Sequence, residues 1–332
     1  MKVHPNALTF RDSVPRSTPV VLTIGTFDGV HAGHRAVLDL LASRARALGA
    51  ETVLLTFHPH PRLVLQAERP GLALLNTLSE KEQLLRDAGL DHLVVHPFTR
   101  DLARMTPLEY VRELIGEGIR PSVVVVGYDH RFGRNREGDF SILSELGALF
   151  HFEVEELPAQ HVDETRVSST KVREALASGS IEEANHWLQS RYSLSGTVVG
   201  GNQIGRTLGF PTANLGDLDP LKLIPLAGVY LGTARTADGN PHPALINIGT
   251  RPTIHGNGNG LGNGEGPAPI PTIEAHLLDF NREIYGEPLT LEFLARIRDE
   301  KRFASREALV EAMEGDRQWA QAAWPEKNSV AP

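Results

Sequence analysis

The feature that most constrains this chain is a change in the period of its apolar residues near Gln189. Before it, short runs rich in branched apolar residues alternate with stretches of helical periodicity. The runs are Val20–Ile24, Val53–Phe57, His92–His96, Val123–Val126 and Phe152–Leu157. Runs that are apolar at nearly every position suit strands covered on both faces, as parallel strands are. In the first helical stretch Val37, Leu40, Leu41, Ala45 and Leu48 recur at helical spacing, and Gly49 supplies a stop. Further helices are predicted near 79–88, 107–117, 141–149 and 168–188. The rhythm predicts an α/β unit on a doubly wound parallel sheet, with ligands at the carboxyl ends of its strands.

After Gln189 the period becomes two. Tyr192–Val199, Val229–Ala234, Ala244–Ile248, Thr272–Leu278 and Leu289–Phe293 alternate, separated by Gly, Pro and Asn turns. That pattern predicts a small antiparallel barrel or sandwich. A charged helix, Ser305–Ala323, closes the chain. The boundary is expected at 186–191, giving domains 1–187 and 188–332. Two domains also suit 332 residues at roughly 100–200 residues per domain.

Composition narrows the partners. Lys and Arg number 33 against 41 Asp and Glu, a formal net charge of −8. Broad binding of nucleic acid or of anionic membrane is therefore not expected, and a local basic pocket is still compatible with this balance. Cysteine is absent, which excludes disulfides, thiolate metal sites, iron–sulfur clusters and thiol nucleophiles. The first twenty residues lack the apolar core of a signal peptide. No run of about 18 apolar residues offers a membrane span. A cytoplasmic protein is expected. The stretch 255–271, HGNGNGLGNGEGPAPIP, is of low complexity and reads as a flexible loop.

Between the first predicted strand and helix stands Leu22-Thr-Ile-Gly-Thr-Phe-Asp-Gly-Val-His-Ala-Gly-His34. Gly25 and Gly29 allow a tight turn, and Gly33 a close ligand approach. His31 and His34, three apart at a helix start, can face one ligand. The helix N-terminus adds N–H groups and a partial positive charge. Together these make a phosphate site with two imidazole donors. Elsewhere, Pro59 and Pro61 favour a rigid turn for His58 and His60 over a metal pair. Asp129, after a valine strand, is either a ligand at the sheet edge or a solvated loop acid. Ser168, Ser169 and Thr170 suit a helix cap. With Arg166 and Arg173 near, they can also hold phosphates.

The second unit opens with a glycine loop, Gly196 to Leu215. Gly200–Thr207 nearly fits a Walker A loop, with Arg206 in place of lysine. Gly209 and Pro211 follow, however, where that motif needs a helix. A glycine-rich flap over phosphates, joining two barrel strands, is expected instead. Pro211-Thr-Ala-Asn214 is either a plain turn or a pair of oxygen ligands, Thr212 and Asn214, for Mg²⁺ with phosphate. Glu274, on the alternating run Ile273-Glu-Ala-His-Leu-Leu-Asp-Phe280, is either solvent-facing or functional.

These strings carry a resemblance. His31-Ala-Gly-His34 resembles the HxGH signature of the nucleotidyltransferase superfamily, and GTFDGVHAGH is similar to the string of bacterial bifunctional FAD synthetases. Thr56-Phe-His-Pro-His-Pro61, Gly127-Tyr-Asp-His-Arg-Phe-Gly133 and Arg166-Val-Ser-Ser-Thr-Lys-Val-Arg173 resemble further motifs of that family. The resemblance implies a Rossmann-like unit that transfers AMP from ATP to FMN and releases pyrophosphate. It implies nucleotide contacts at Gly25, Phe27, Asp28, Gly29 and Gly33, with His31 and His34 catalytic on the triphosphate. Arg166, Ser169, Thr170 and Arg173 would take the pyrophosphate, and His60, Asp129 and Phe132 would face the flavin. Asp129 stands where many relatives carry Asn; an ionised acid accepts hydrogen bonds but cannot donate them.

The string GxVVxGxxxGRxLGFPTANL, with Gly228-Val-Tyr230, Asn247-Ile-Gly-Thr-Arg-Pro-Thr253 and IEAHLLDF, resembles the riboflavin kinase module of the same bifunctional family. That implies a Greek-key barrel moving the ATP γ-phosphoryl group to the 5′-hydroxyl of riboflavin. Glu274 would be the base, Thr212 and Asn214 would hold Mg²⁺ with the nucleotide, and Gly200, Gly201, Gly205 and Arg206 would cover the phosphates. Arg298 and Phe303 would close the flavin side. The resemblance spans roughly 18–320, and the product of the second module is the substrate of the first. The competing readings are a single active module and a flavin-binding regulator without turnover.

Overall fold

The structure, a computed structural model, describes residues 1–66, 71–157, 167–201, 204–250 and 271–329. Arg166 and nearly all of the glycine-rich stretch 255–271 lie outside the described residues, and of Arg206 only the backbone is described. The chain divides into two compact units, Met1–Ser169 and Thr170–Pro332.

The first unit runs β1 (Lys2–His4), α1 (Ala7–Ser13), β2 (Val20–Ile24), α2 (Ala32–Leu48), β3 (Glu51–His58), α3 (Pro61–Leu65), α4 (Leu78–Asp87) and β4 (His92–Pro97). There follow α5 (Pro107–Tyr110), running on as a π-helical stretch (Val111–Ile119), then β5 (Val123–Val126), α6 (Phe140–Phe150) and β6 (Glu153–Glu156). The strands form one sheet in the order β1-β4-β3-β2-β5-β6, and every pairing is parallel. Alternate residues of β2 feed opposite layers. Leu22 and Ile24 pack with Phe10 and Ile115 on one face, and Val21 with Leu38 and Leu41 on the other. That is why the run is apolar throughout, and it makes the sheet doubly wound as expected. The strand order reverses between β2 and β5, so the turns after these two strands flank the crevice where such sheets bind ligands. Gly49 ends α2 in the left-handed conformation (φ 59°).

The periodicity gave no sign of β1. Lys2-Val-His4 is short and only His4 is buried. Side-chain hydrogen bonds hold it there: Glu51 Oε2 to His92 Nε2 (2.8 Å), His92 Nδ1 to His4 Nε2 (3.0 Å) and His4 Nδ1 to Ser13 Oγ (3.2 Å).

The second unit carries α7 (Ser169–Ser178, its first residue closing the first unit), α8 (Ile181–Leu188), β7 (Ser193–Val199), α9 (Ile204–Thr207), β8 (Ala213–Gly216) and β9 (Gly228–Arg235). It continues through β10 (Pro241–Thr250), β11 (Pro271–Leu277), β12 (Pro288–Arg298) and α10 (Arg306–Ser329). The helix predicted over 168–188 is two helices, broken at Gly179 (φ 81°). The strands close into an antiparallel barrel, β10-β11-β8-β7-β12-β9. Its interior stacks Tyr230 edge-on against Phe293, centroids 5.3 Å apart.

Packing divides the chain after Ser169, ahead of the change in periodicity near Gln189. The cause is local. Asn185 donates to the Phe293 carbonyl (2.8 Å) and accepts from the Tyr192 N–H (2.7 Å), tying α8 to β12 and to the start of β7. Strand β8 was hidden in the sequence, because Pro211 and Asn214 there read equally well as a turn.

Candidate active sites

In the first unit the chain leaves β2 through a turn with three left-handed residues: Phe27 (φ 47°), Gly29 (φ 94°) and Val30 (φ 42°). Two of the three are not glycine, so the surrounding structure must hold them there. Phe27 and Val30 are buried. The Asp28 carboxylate, also buried, accepts from the N–H groups of Leu75 (3.0 Å) and Asn76 (3.3 Å). The Lys81 ammonium donates to the Thr26 carbonyl (2.6 Å). Ser169 Oγ donates to the Asp28 carbonyl (2.9 Å).

This turn delivers His31 to the N-cap of α2, and its side chain makes no capping bond. Its ring stacks on that of His34, centroids 3.8 Å apart and 15° from parallel. On the other side His34 stacks on Phe27, at 4.5 Å. A Cβ at Gly33 would meet the His31 ring at 3.3 Å, so only glycine leaves this stack undisturbed. Burial, then the neighbouring charges of His31 and Lys81, hold His34 well below the usual histidine range. The ring is therefore neutral near pH 7, and a neutral imidazole offers one N–H donor and one acceptor.

The other predicted residues of this unit fall as follows. His60 is the N-cap of α3 and accepts from the Arg62 N–H (3.2 Å), the rigid-turn role. Asp129 is exposed in the turn after β5. Phe132 is buried, near Tyr110 (5.4 Å) and stacked with His130 (5.8 Å). A Cβ at Gly138 would strike its ring, at 2.6 Å. Thr170 and Arg173 lie on α7 in the second unit. Two residues escaped the sequence reading. Lys81 left no mark beyond its place in an amphipathic helix. His130 sits beside Asp129, and burial pushes its imidazole down to about 4.

In the second unit, strand pairing brings the predicted site together. Antiparallel register sets Glu274 on β11 opposite Asn214 on β8. Thr212, just before β8, donates its hydroxyl to Glu274 Oε2 (3.2 Å). Its neighbour Pro211 is fixed by a 2.8 Å hydrogen bond between its carbonyl and His276 Nδ1. Two loop glycines lie close to Asn214 and Thr212. A Cβ at Gly201 would meet the Asn214 amide at 2.3 Å; one at Gly205 would strike the Phe210 carbonyl at 2.3 Å and come within 3.4 Å of the Thr212 hydroxyl. Gly200 has open space around it. The loop holds one helical turn, α9, which carries Arg206, in place of the helix a Walker A motif requires. Beside the trio opens a cavity of about 230 Å³, lined by Thr212, Asn214, Ala275, Leu277, Phe280 and Tyr285 among others. Polar side chains line it too: the hydroxyl–amide pair, and Asn281, Arg282 and Glu283.

Among the described residues, no three His, Asp or Glu side chains cluster as a metal site. Thr212 and Asn214 offer a hydroxyl and an amide oxygen, hard donors that suit Mg²⁺ when phosphate completes the shell. Arg298, at the end of β12, is held by a forked pair with Asp316 of α10 (2.7 and 3.0 Å). Its guanidinium lies 5.6 Å from the Phe303 ring centroid.

The FAD synthetase family matches residues 14–171, and the riboflavin kinase family matches residues 188–324. Over 291 residues, 87% of this chain and 88% of the relative, the sequence is 37% identical to the bifunctional riboflavin kinase/FMN adenylyltransferase of Escherichia coli K12. The chain belongs to the bifunctional riboflavin kinase/FMN adenylyltransferase family. The family relative from Pseudomonas fluorescens is 36% identical over 91% of this chain and 92% of its own length. The Bacillus subtilis relative is 33% identical over 90% and 91%. A crystal structure described as a macrolide-efflux protein from Streptococcus pneumoniae shares the fold, with TM-score 0.81 and 26% identity over 96% of this chain and 98% of that one. No helix among the described residues here is long and apolar enough to cross a membrane. The histidine stack lies within the span of the FAD synthetase match, and the Thr212–Asn214–Glu274 trio within that of the riboflavin kinase match.

Proposed function

We propose that this chain carries both activities of its family, one in each unit. The second phosphorylates riboflavin to FMN with ATP. The first joins FMN to the adenylyl group of a second ATP, giving FAD and pyrophosphate. The observation that carries the reading is the Thr212 hydroxyl bonded to Glu274 across from Asn214. A neutral hydroxyl acceptor needs a base, and this is a carboxylate with one oxygen already oriented.

In the kinase unit, Glu274 takes the proton of the riboflavin 5′-hydroxyl as that oxygen attacks the γ-phosphorus, and the bond to the β-phosphate oxygen breaks to release ADP. Thr212 and Asn214 are the residues to hold Mg²⁺, which when bound supplies positive charge to the transferring phosphates. Gly200, Gly201, Gly205 and Arg206 cover the phosphates, while Arg298, braced by Asp316, sets Phe303 on the flavin side.

In the adenylyl-transfer unit no base is required, because the FMN phosphate is already an anion. One of its oxygens attacks the α-phosphorus of ATP, and the bond to the bridging β-oxygen breaks. His31 and His34 donate N–H groups to the phosphates as charge builds. Gly25, Phe27, Asp28, Gly29 and Gly33 shape the pocket around the nucleotide. Arg166 and Ser169 take the departing pyrophosphate, and His60, Asp129 and Phe132 lie on the flavin side. The kinase domain begins at 188 in this reading, and both reactions take place in the cytoplasm.

The test is one time course of purified protein with riboflavin, ATP and Mg²⁺, the flavins separated by chromatography. FMN appearing first and FAD after it is expected. FMN alone would refute the reading for the first unit. Bound flavin without any product would refute both activities and leave a regulator.

A further inference from the structure

Lys81 is buried, on the first turn of α4, and the established parts of the site give it no role. The start of α4 is fixed by a capping box: Thr77 Oγ1 accepts from the Glu80 N–H (3.2 Å), and Glu80 Oε2 accepts from the Thr77 N–H (2.9 Å). From this anchored turn the Lys81 ammonium donates to the Thr26 carbonyl at 2.6 Å. The same carbonyl accepts from Thr56 Oγ1 at 3.3 Å. Thr26 immediately precedes the left-handed residues, and Asp28 returns the connection through the N–H groups of Leu75 and Asn76. The turn is therefore tied to the entry of α4 from both sides. Burying an ammonium is costly, and an apolar side chain of similar length would fill the same space without that cost. Stability alone does not explain a lysine here.

We propose that Lys81 is a positioning residue for adenylyl transfer: it pins the Thr26 carbonyl, so holding the strained turn that presents His31 and His34 to the nucleotide phosphates, and it keeps a fixed positive charge behind them. The proposal rests on the adenylyl-transfer reading of the first unit. The charged and titratable groups around His34 are His31 at the start of α2, Lys81 from α4, and Asp28 in the turn; burial lowers the Lys81 pKa, and the Asp28 carboxylate opposes this by favouring the ammonium. His34 Nδ1 is buried without a hydrogen-bond partner. A neutral ring with its proton on Nε2 leaves only an acceptor unpaired there, whereas a protonated ring would strand a donor. A positive charge close by favours that neutral state, so Lys81 acts on the ring's protonation as well as on its placement.

The test uses the full chain with Lys81→Met and Lys81→Gln. FMN adenylylation is measured against pH, riboflavin kinase activity in the same samples, and the His34 ring by ¹H–¹⁵N spectra across a titration. Lys81→Met is expected to lower kcat for adenylylation by roughly 10–100-fold, the cost of a catalytic group displaced by about an ångström. Kinase activity stays within about twofold. The His34 titration moves to higher pH by roughly half a unit or more. Lys81→Gln keeps a donor without the charge, so it should recover much of the rate while showing the same titration shift. An unmoved His34 titration in both variants, or adenylylation within about twofold of wild type in Lys81→Met, would overturn the proposal. If the wild-type protein made no FAD, the adenylyl-transfer reading would fail, and the His34 titration would still decide whether Lys81 acts on that ring.

Discussion

On the proposed reading, the two units handle phosphate by different means. In the first, the site is a turn with left-handed residues feeding a 17-residue helix, with stacked imidazoles at the helix start and a buried lysine bonded to the turn. In the second it is a carboxylate, a hydroxyl and an amide on neighbouring antiparallel strands, under a glycine loop. The nucleophile accounts for the difference. FMN brings a charged phosphate, so the first site needs donors and position but no base, and its one buried acid, Asp28, is spent on backbone N–H groups. Riboflavin brings a neutral hydroxyl, so the second site needs a base, the role proposed for Glu274. A nucleotide pocket alone does not tell the reaction; the presence or absence of an oriented carboxylate does.

The sharpest way to break this comparison is Glu274→Gln. Kinase turnover should fall about 10²–10⁴-fold, the size of a general-base effect. Adenylylation of supplied FMN should remain at the wild-type rate. Equal losses in both reactions would mean that the units do not hold separate sites. Next in size is His34→Ala. It should lower adenylylation about 10²–10³-fold, as loss of a charge-stabilising donor does, with the kinase unaffected. Because burial and its neighbours lower the His34 pKa, the neutral ring persists as pH falls below 6.5. Wild-type adenylylation should therefore hold up on the acid side of the ordinary histidine range. A rate that followed an ordinary histidine titration would contradict the neutral-donor role.

What could be read in advance follows the same division. The parallel sheet was legible because Val20–Ile24 and Val123–Val126 are buried on both faces and so read as unbroken apolar runs. The stop at Gly49 was legible because the turn needs a positive φ. Strand β1 was not, since a buried histidine network holds it, not an apolar run. Strand β8 was not, since Pro211-Thr-Ala-Asn214 suits a turn as well as a strand. The motif histidines stood out by spacing, but Lys81 did not: its role comes from the packing of α4 against a turn more than fifty positions earlier. Arg298 drew attention through its surrounding string, whereas its partner Asp316 lies in a charged helix with no mark of its own.

A smaller effect isolates the glycine loop. At Gly201 a methyl group would sit 2.3 Å from the Asn214 amide, so Gly201→Ala must push the loop or the amide aside. Kinase kcat/KM should fall on the order of tenfold or more, as misplacement of a positioning group does, with KM for ATP rising and adenylylation unchanged. Gly200→Ala, with open space around the added methyl, should cost much less. If the two variants behaved alike, contact with Asn214 would not be the reason for glycine at 201.

The smallest expected effect concerns acid. Burial is the largest cause of a lowered imidazole pKa at His4, His34, His96 and His130 in the first unit, and at His276 alone among the described residues of the second. A lowered folded-state pKa means that the unfolded chain binds more protons once pH drops below about 6.5. Stability is then fully present above that value and is lost as pH falls through the folded-state values. With four such residues against one, the first unit should loosen before the barrel. Thermal melts from pH 7.5 to 5, followed by a probe in each unit, should show the first transition moving down while the second holds. His4 offers a control, because burial is joined there by the charges of His92 and Lys2. His4→Gln should flatten part of the first unit's acid slope, at some loss of stability at neutral pH because the bond to His92 is broken. Parallel slopes in the two units would show that buried histidines are not what separates their response to acid.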